Sequence, residues 1–290
     1  HALPIENNTQ LIFSHFLSFS LSLSAYKQAK KVKHLTTFEI KKMNIAHTIF
    51  GVFGNATALF LFLAPSITFK RIIKNKSTEQ FSGIPYPMTL LNCLLSAWYG
   101  LPFVSKDNTL VSTINGTGAV IETIYVFIFL IYAPKKEKVK IFGIFSCVLA
   151  VFGTVALVSL FALHGNARKL FCGLAATVFS IIMYASPLSI MRLVIKTKSV
   201  EFMPFFLSLF VFLCGTSWFV YGLIGRDPFV AIPNGFGCAL GTLQLILYFI
   251  YCGNKGEKSG DAEKDEKMVE MKDEEKKKQN VVNGKQDLQV

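Results

Sequence analysis

From residue 43 onward, long apolar runs alternate with short polar links. Seven such runs fit before residue 253: Asn44–Phe69, Ile84–Phe103, Leu110–Ala133, Ile141–Leu163, Lys169–Ile195, Met203–Leu223 and Phe229–Cys252. Each is long enough for one helical crossing of a bilayer. Hydrocarbon offers backbone N–H and C=O groups no partner, so a run of this kind must satisfy them internally, as a helix does. The expected fold class is an all-α membrane protein with seven transmembrane helices.

Two runs carry a proline in the same place. LFLFLAPSITFKRIIK (Leu59–Lys74) holds Pro65, and IIMYASPLSIMRLVIK (Ile181–Lys196) holds Pro187. A proline there removes one helix hydrogen bond and bends the helix, and a neighbouring helix or a wet cavity must then satisfy the freed carbonyl. The match extends along both halves in the same order. Lys74-Asn75-Lys76-Ser77-Thr78-Glu79 answers Lys196-Thr197-Lys198-Ser199-Val200-Glu201, and Pro85 answers Pro204. Tyr99-Gly100 answers Tyr221-Gly222, and Asn115-Gly116-Thr117-Gly118 answers Asn234-Gly235-Phe236-Gly237. The chain therefore divides into a first triple-helix bundle (43–133), a linker helix (134–168) and a second triple-helix bundle (169–252). One linking span makes both units enter from the same side, as a parallel pair. A duplicated membrane unit with broken helices at matching positions is the plan of a transporter.

Composition agrees. Hydrophobic residues make up 52% of the 290 and charged residues only 17%, with mean hydropathy +0.45. The net charge of +12 comes from lysines and arginines flanking apolar runs, which is a membrane pattern and not a nucleic-acid one. The first, third and fifth links are the richer in Lys and Arg, so they are expected to face the cytoplasm, with the start of span one outside and the C-terminus inside. Residues 1–42 fit this poorly: Leu11–Ala25 resembles a serine-rich signal core preceded by Glu6, and six lysines follow. They are expected to be an upstream or leader extension, with the functional protein beginning at Met43. The tail 253–290 mixes Lys with Asp and Glu and is expected to be disordered and cytoplasmic. Cys93, Cys147, Cys172, Cys214, Cys238 and Cys252 lack metal-site spacing and are expected to pack.

The sharpest chemical candidates are Asn115 and Asn234. An uncharged amide in mid-membrane offers donors and acceptors to the hydroxyls of a neutral solute. Asn115-Gly116-Thr117 is also a glycosylation sequon, but inside a span it is out of reach. Ser96 and Trp218 occupy matching places, the indole giving a flat apolar face on which a ring can stack. Leu61 and Met183 lie four residues before the prolines, about one turn away on the same face. Bulky side chains there predict a small cavity. Glu122 is the one acid deep in a span and its repeat counterpart is Gly241. It reads as a hydrogen-bonding or wall residue, not a coupling site.

These residues and their order resemble the SWEET (MtN3/saliva) family of sugar facilitators, from Met43 to about Gly253, and most closely a plant member of the glucose-transporting branch. The resemblance implies that Asn115, Asn234, Ser96 and Trp218 line the sugar cavity. It implies hinges at Pro65, Pro85, Pro187 and Pro204, and an outer gate of Tyr99, Lys106 and Asp227, the last two as a closing ion pair. The expected activity is a bidirectional hexose uniporter working by alternating access, with a related transporter of another small neutral metabolite, or of sucrose, as the alternative. The expected setting is the plasma membrane; the expected partners are a small neutral sugar, the bilayer and further copies in a homo-oligomer. No nucleic acid, metal or cofactor is implied. A seven-span receptor would not need the repeat, and a membrane enzyme would need a catalytic cluster that the spans do not carry.

Overall fold

A computed structural model describes residues 43–253, so the expectations for the leader and for the tail lie outside the described residues. The helices, in chain order, are α1 (residues 43–63), α2 (Ser66–Asn75), α3 (Pro85–Tyr99), α4 (Thr109–Tyr132), α5 (Lys135–Leu157) with a π-helical turn at Val158–Ala162, α6 (Gly165–Met183), α7 (Ala185–Thr197), α8 (Phe205–Ile224) and α9 (Pro228–Tyr251). Among the described residues, six stretches are long and apolar enough to cross a membrane: Met43–Asn75, Thr109–Tyr132, Lys135–Ala162, Gly165–Thr197, Phe205–Ile224 and Pro228–Tyr251. The remaining span is α3, helical for 15 residues, roughly 22 Å at 1.5 Å per residue. It is shorter than its apolar run because residues 101–104 form a turn. It is also packed among α4, α5 and α6, so protein surrounds it.

Both proline-bearing spans are broken. Span one changes from α1 to α2 at Ala64 and Pro65, and span five from α6 to α7 at Tyr184, three residues before Pro187. At the first break the Phe62 carbonyl accepts the Tyr125 hydroxyl at 3.1 Å, so a neighbouring helix covers the backbone that the proline loosens. The broken segments end alike, on Lys76 and Lys198, with φ of 49° and 54°. This left-handed cap is uncommon for residues other than glycine. Pro85 and Pro204 sit differently: Pro85 is the first residue of α3, and Pro204 caps α8. There the ring costs no interior helix bond, and any bending happens where the loop meets the helix.

Within each half the backbones approach through matching glycines. A Cβ on Gly100 would lie 2.6 Å from the Ser112 nitrogen, and one on Gly222 would lie 2.5 Å from the Ala231 nitrogen. Only glycine permits α3 to meet α4, and α8 to meet α9, that closely. The linker span α5 packs on α3 and α4. Its π-helical turn places Ser159, fully buried, to accept the Trp98 indole N–H at 2.8 Å. The outward surface is apolar: Val120, Ile124, Phe127 and Ile131 of α4 are all more than half exposed, as hydrocarbon requires.

Candidate functional site

The six residues singled out from the repeat border one central cavity of about 230 Å³: Leu61, Ser96, Asn115, Met183, Trp218 and Asn234. The asparagines reach it from corresponding turns of α4 and α9. Each donates an amide N–H to its own helix four residues back, Asn115 to the Val111 carbonyl at 2.9 Å and Asn234 to the Val230 carbonyl at 2.8 Å. A carbonyl acceptor fixes which end of each amide faces the backbone, since only the NH₂ can donate. Each side-chain oxygen is left to accept from a ligand. Trp218 lies nearly buried against Gly54, where a Cβ would come within 2.9 Å of the indole. The Tyr221 ring meets its edge at 5.0 Å.

Sequence reading missed several lining residues. Asn92 and Ser180 line the same cavity, and the Ser180 hydroxyl donates across the two halves to the Asn92 side-chain amide oxygen at 2.7 Å. Their repeat counterparts are Cys214 and Ala58, which also line the cavity. Pairing the halves residue by residue would have found all four. Pro233 and Tyr184 line it too, and Pro233 was visible in the sequence as the residue before Asn234.

Beyond the cavity, at the lysine-poor end, the halves are tied together. Asp227 caps α9 and accepts the Phe229 N–H at 3.0 Å on one oxygen. The other oxygen accepts the Tyr99 hydroxyl at 2.6 Å and the Asn108 amide at 2.7 Å. Asn108 and Asp227 precede α4 and α9 at matching places, seven residues before the two asparagines, so these repeat mates meet each other. Tyr221, the mate of Tyr99, donates to the Asp107 carbonyl at 2.8 Å. The expected ion pair is corrected. The cation beside Asp227 is Lys169, at 3.4 Å, while Lys106 lines the approximately 430 Å³ recess above. Lys169 opens span five, and the fold of the loops, not the spacing in sequence, decides which lysine reaches the carboxylate. Glu122 is buried, with one carboxyl oxygen lacking a partner among the described residues.

A family model described as "Sugar efflux transporter for intercellular exchange" matches residues 48–137 and again 170–256. The two matches fall on the two halves. The chain belongs to the SWEET family of sugar transporters. The bidirectional sugar transporter SWEET1 of Arabidopsis thaliana is 95% identical over 248 residues, covering 86% of this chain and all of that protein. The bidirectional sugar transporter SWEET1a of Sorghum bicolor is 72% identical over 214 residues, covering 73% of this chain and 80% of its own length. A solved structure of a eukaryotic SWEET transporter superposes with a TM-score of 0.71 at 46% identity, covering 73% of this chain and 99% of that one. This chain and that SWEET transporter share one fold. The chain is a multi-pass membrane sugar transporter and not an enzyme.

Proposed function

We propose that this protein is a bidirectional uniporter for a hexose, glucose foremost, binding it between Asn115 and Asn234 and exposing it to each side in turn. The observation that carries the reading is the single cavity shared by both amides, Trp218 and Ser96. At about 230 Å³ it is smaller than the roughly 300–1,000 Å³ of drug-sized sites. Leu61 and Met183 narrow it to the volume of one sugar ring. The very similar Arabidopsis and Sorghum proteins carry the name bidirectional sugar transporter, which supports flux in either direction. With the lysine-rich links in the cytoplasm, the Tyr99–Asp227–Asn108 cluster becomes the outer gate, closed in this conformer. The breaks at Pro65 and Pro187 become the inner hinges. Alternating access then needs only the exchange of one closed end for the other around a fixed site.

Tracer uptake by proteoliposomes holding the purified full-length protein tests this. Glucose should equilibrate down its gradient in either direction, at a rate that a proton uncoupler leaves within twofold, and much faster than sucrose. Uptake that collapses with the uncoupler, or that prefers sucrose, would contradict it.

A further inference from the structure

Span seven, helical throughout, contains a break in its backbone hydrogen bonding that span three lacks. Pro233 lies inside α9, one residue before Asn234, where the first half has Ile114 before Asn115. Its ring removes the N–H that would meet the Phe229 carbonyl four residues earlier. The Thr177 hydroxyl of α6 covers that carbonyl at 3.3 Å. A second hydroxyl holds the break from the other side: Tyr184 donates to the Pro233 carbonyl at 2.6 Å. A Cβ on Gly237 would lie 2.7 Å from the Tyr184 oxygen, so the last glycine of the Asn-Gly-x-Gly motif is the gap through which that hydroxyl reaches. Tyr184 is also the joint between α6 and α7.

We propose that Tyr184 is a coupling residue. Its hydroxyl ties the hinge of span five to the peptide that positions Asn234, so sugar in the cavity and the bend at span five move together. This rests on the reading of the Asn115–Asn234 cavity as the sugar site. The first half is built otherwise. The counterpart of Tyr184 is Phe62, which has no hydroxyl, and the phenol at that break comes from Tyr125 of α4 to the Phe62 carbonyl at 3.1 Å. That bond holds the hinge of span one to α4 well away from Asn115, more than two turns further along the helix. The repeat is symmetric in its fold and unequal in its linkage, and the second half carries the signal between site and hinge.

The test uses the purified full-length protein in lipid nanodiscs, with glucose binding followed by tryptophan fluorescence. Spin labels introduced through an unnatural amino acid at the exposed Lys74 and Lys196 report the hinge by their distance distribution. Glucose should shift this distribution in the wild-type protein. Tyr184→Phe should weaken binding about five- to tenfold, the factor expected for one lost hydrogen bond, and at saturating glucose its distribution should stay at the sugar-free position. Gly237→Ala, which crowds the same hydroxyl, should act alike, and the double variant should be no worse than Gly237→Ala alone. If Gly237→Ala does not fold, Tyr184→Phe decides by itself. A full shift in saturated Tyr184→Phe would overturn the coupling, whatever its affinity; so would a wild-type distribution that glucose leaves unmoved, or losses that multiply in the double variant. Asn234→Ala separates the two readings. Normal glucose binding there overturns the sugar site, whereas its loss together with a full shift in Tyr184→Phe overturns the coupling alone.

Discussion

Asp227 gathers several side-chain interactions, and they are unequal. It is buried and accepts three hydrogen bonds of 3.0 Å or less, while its cation, Lys169, is 39% exposed. Removing a buried acceptor strands its donors, but an exposed cation is screened by water. Asp227→Ala should therefore cost about 3 kcal/mol and Lys169→Ala under about 1 kcal/mol, read as midpoints of thermal unfolding in detergent. A larger loss in Lys169→Ala would contradict this ranking. Glu122 gives a second contrast. No cation stands beside it among the described residues, so Glu122→Gln should keep transport within twofold at every pH tested; loss of uptake would make the acid a proton site. At this scale the sequence was informative where repeat mates match, which is how Asn115, Asn234, Ser96 and Trp218 could be paired before any coordinates. It was silent on the choice between Lys106 and Lys169, because one lies in a link and the other at the start of a span, and only the folded loops determine which approaches Asp227.

Helices that must bend and helices that must not are distinguished by two residue types. The breaks at Pro65 and near Pro187 lack an N–H that alanine would restore, so Pro65→Ala and Pro187→Ala should straighten the spans and slow transport at least about tenfold without lowering the unfolding temperature. A variant that transports normally would remove the hinge role from that proline. The glycine contacts act oppositely. Gly100→Val or Gly222→Val would drive methyl groups into the backbone of the neighbouring helix, costing about 3 kcal/mol or more. Little folded protein should reach the membrane, as surface labelling would measure. Apolar periodicity located the elements but not their details. The π-helical turn at Val158–Ala162 leaves no trace in a uniformly apolar run. The early end of α3 depends on Gly100 packing against α4, a contact between segments. The missing N–H at Pro233, by contrast, was legible in the sequence, and comparison with Ile114 would have marked it.

For the whole molecule, two copies of one unit meet where Asn108 touches its repeat mate Asp227 at the lysine-poor end and where Asn92 touches Ser180 beside the cavity. Both bonds join the halves, one above the cavity and one in its wall. The centre is consequently the place where a solute of one ring can be held by groups from both units. Weak binding, on the order of millimolar, suits a carrier that must release its cargo. The most direct test is equilibrium glucose binding by the purified protein, wild type against Asn115→Ala and Asn234→Ala, each first checked for normal thermal unfolding. Each single variant should lose at least about tenfold in affinity, since each removes one of the paired amide acceptors of the cavity. Wild-type affinity in both variants would contradict the account.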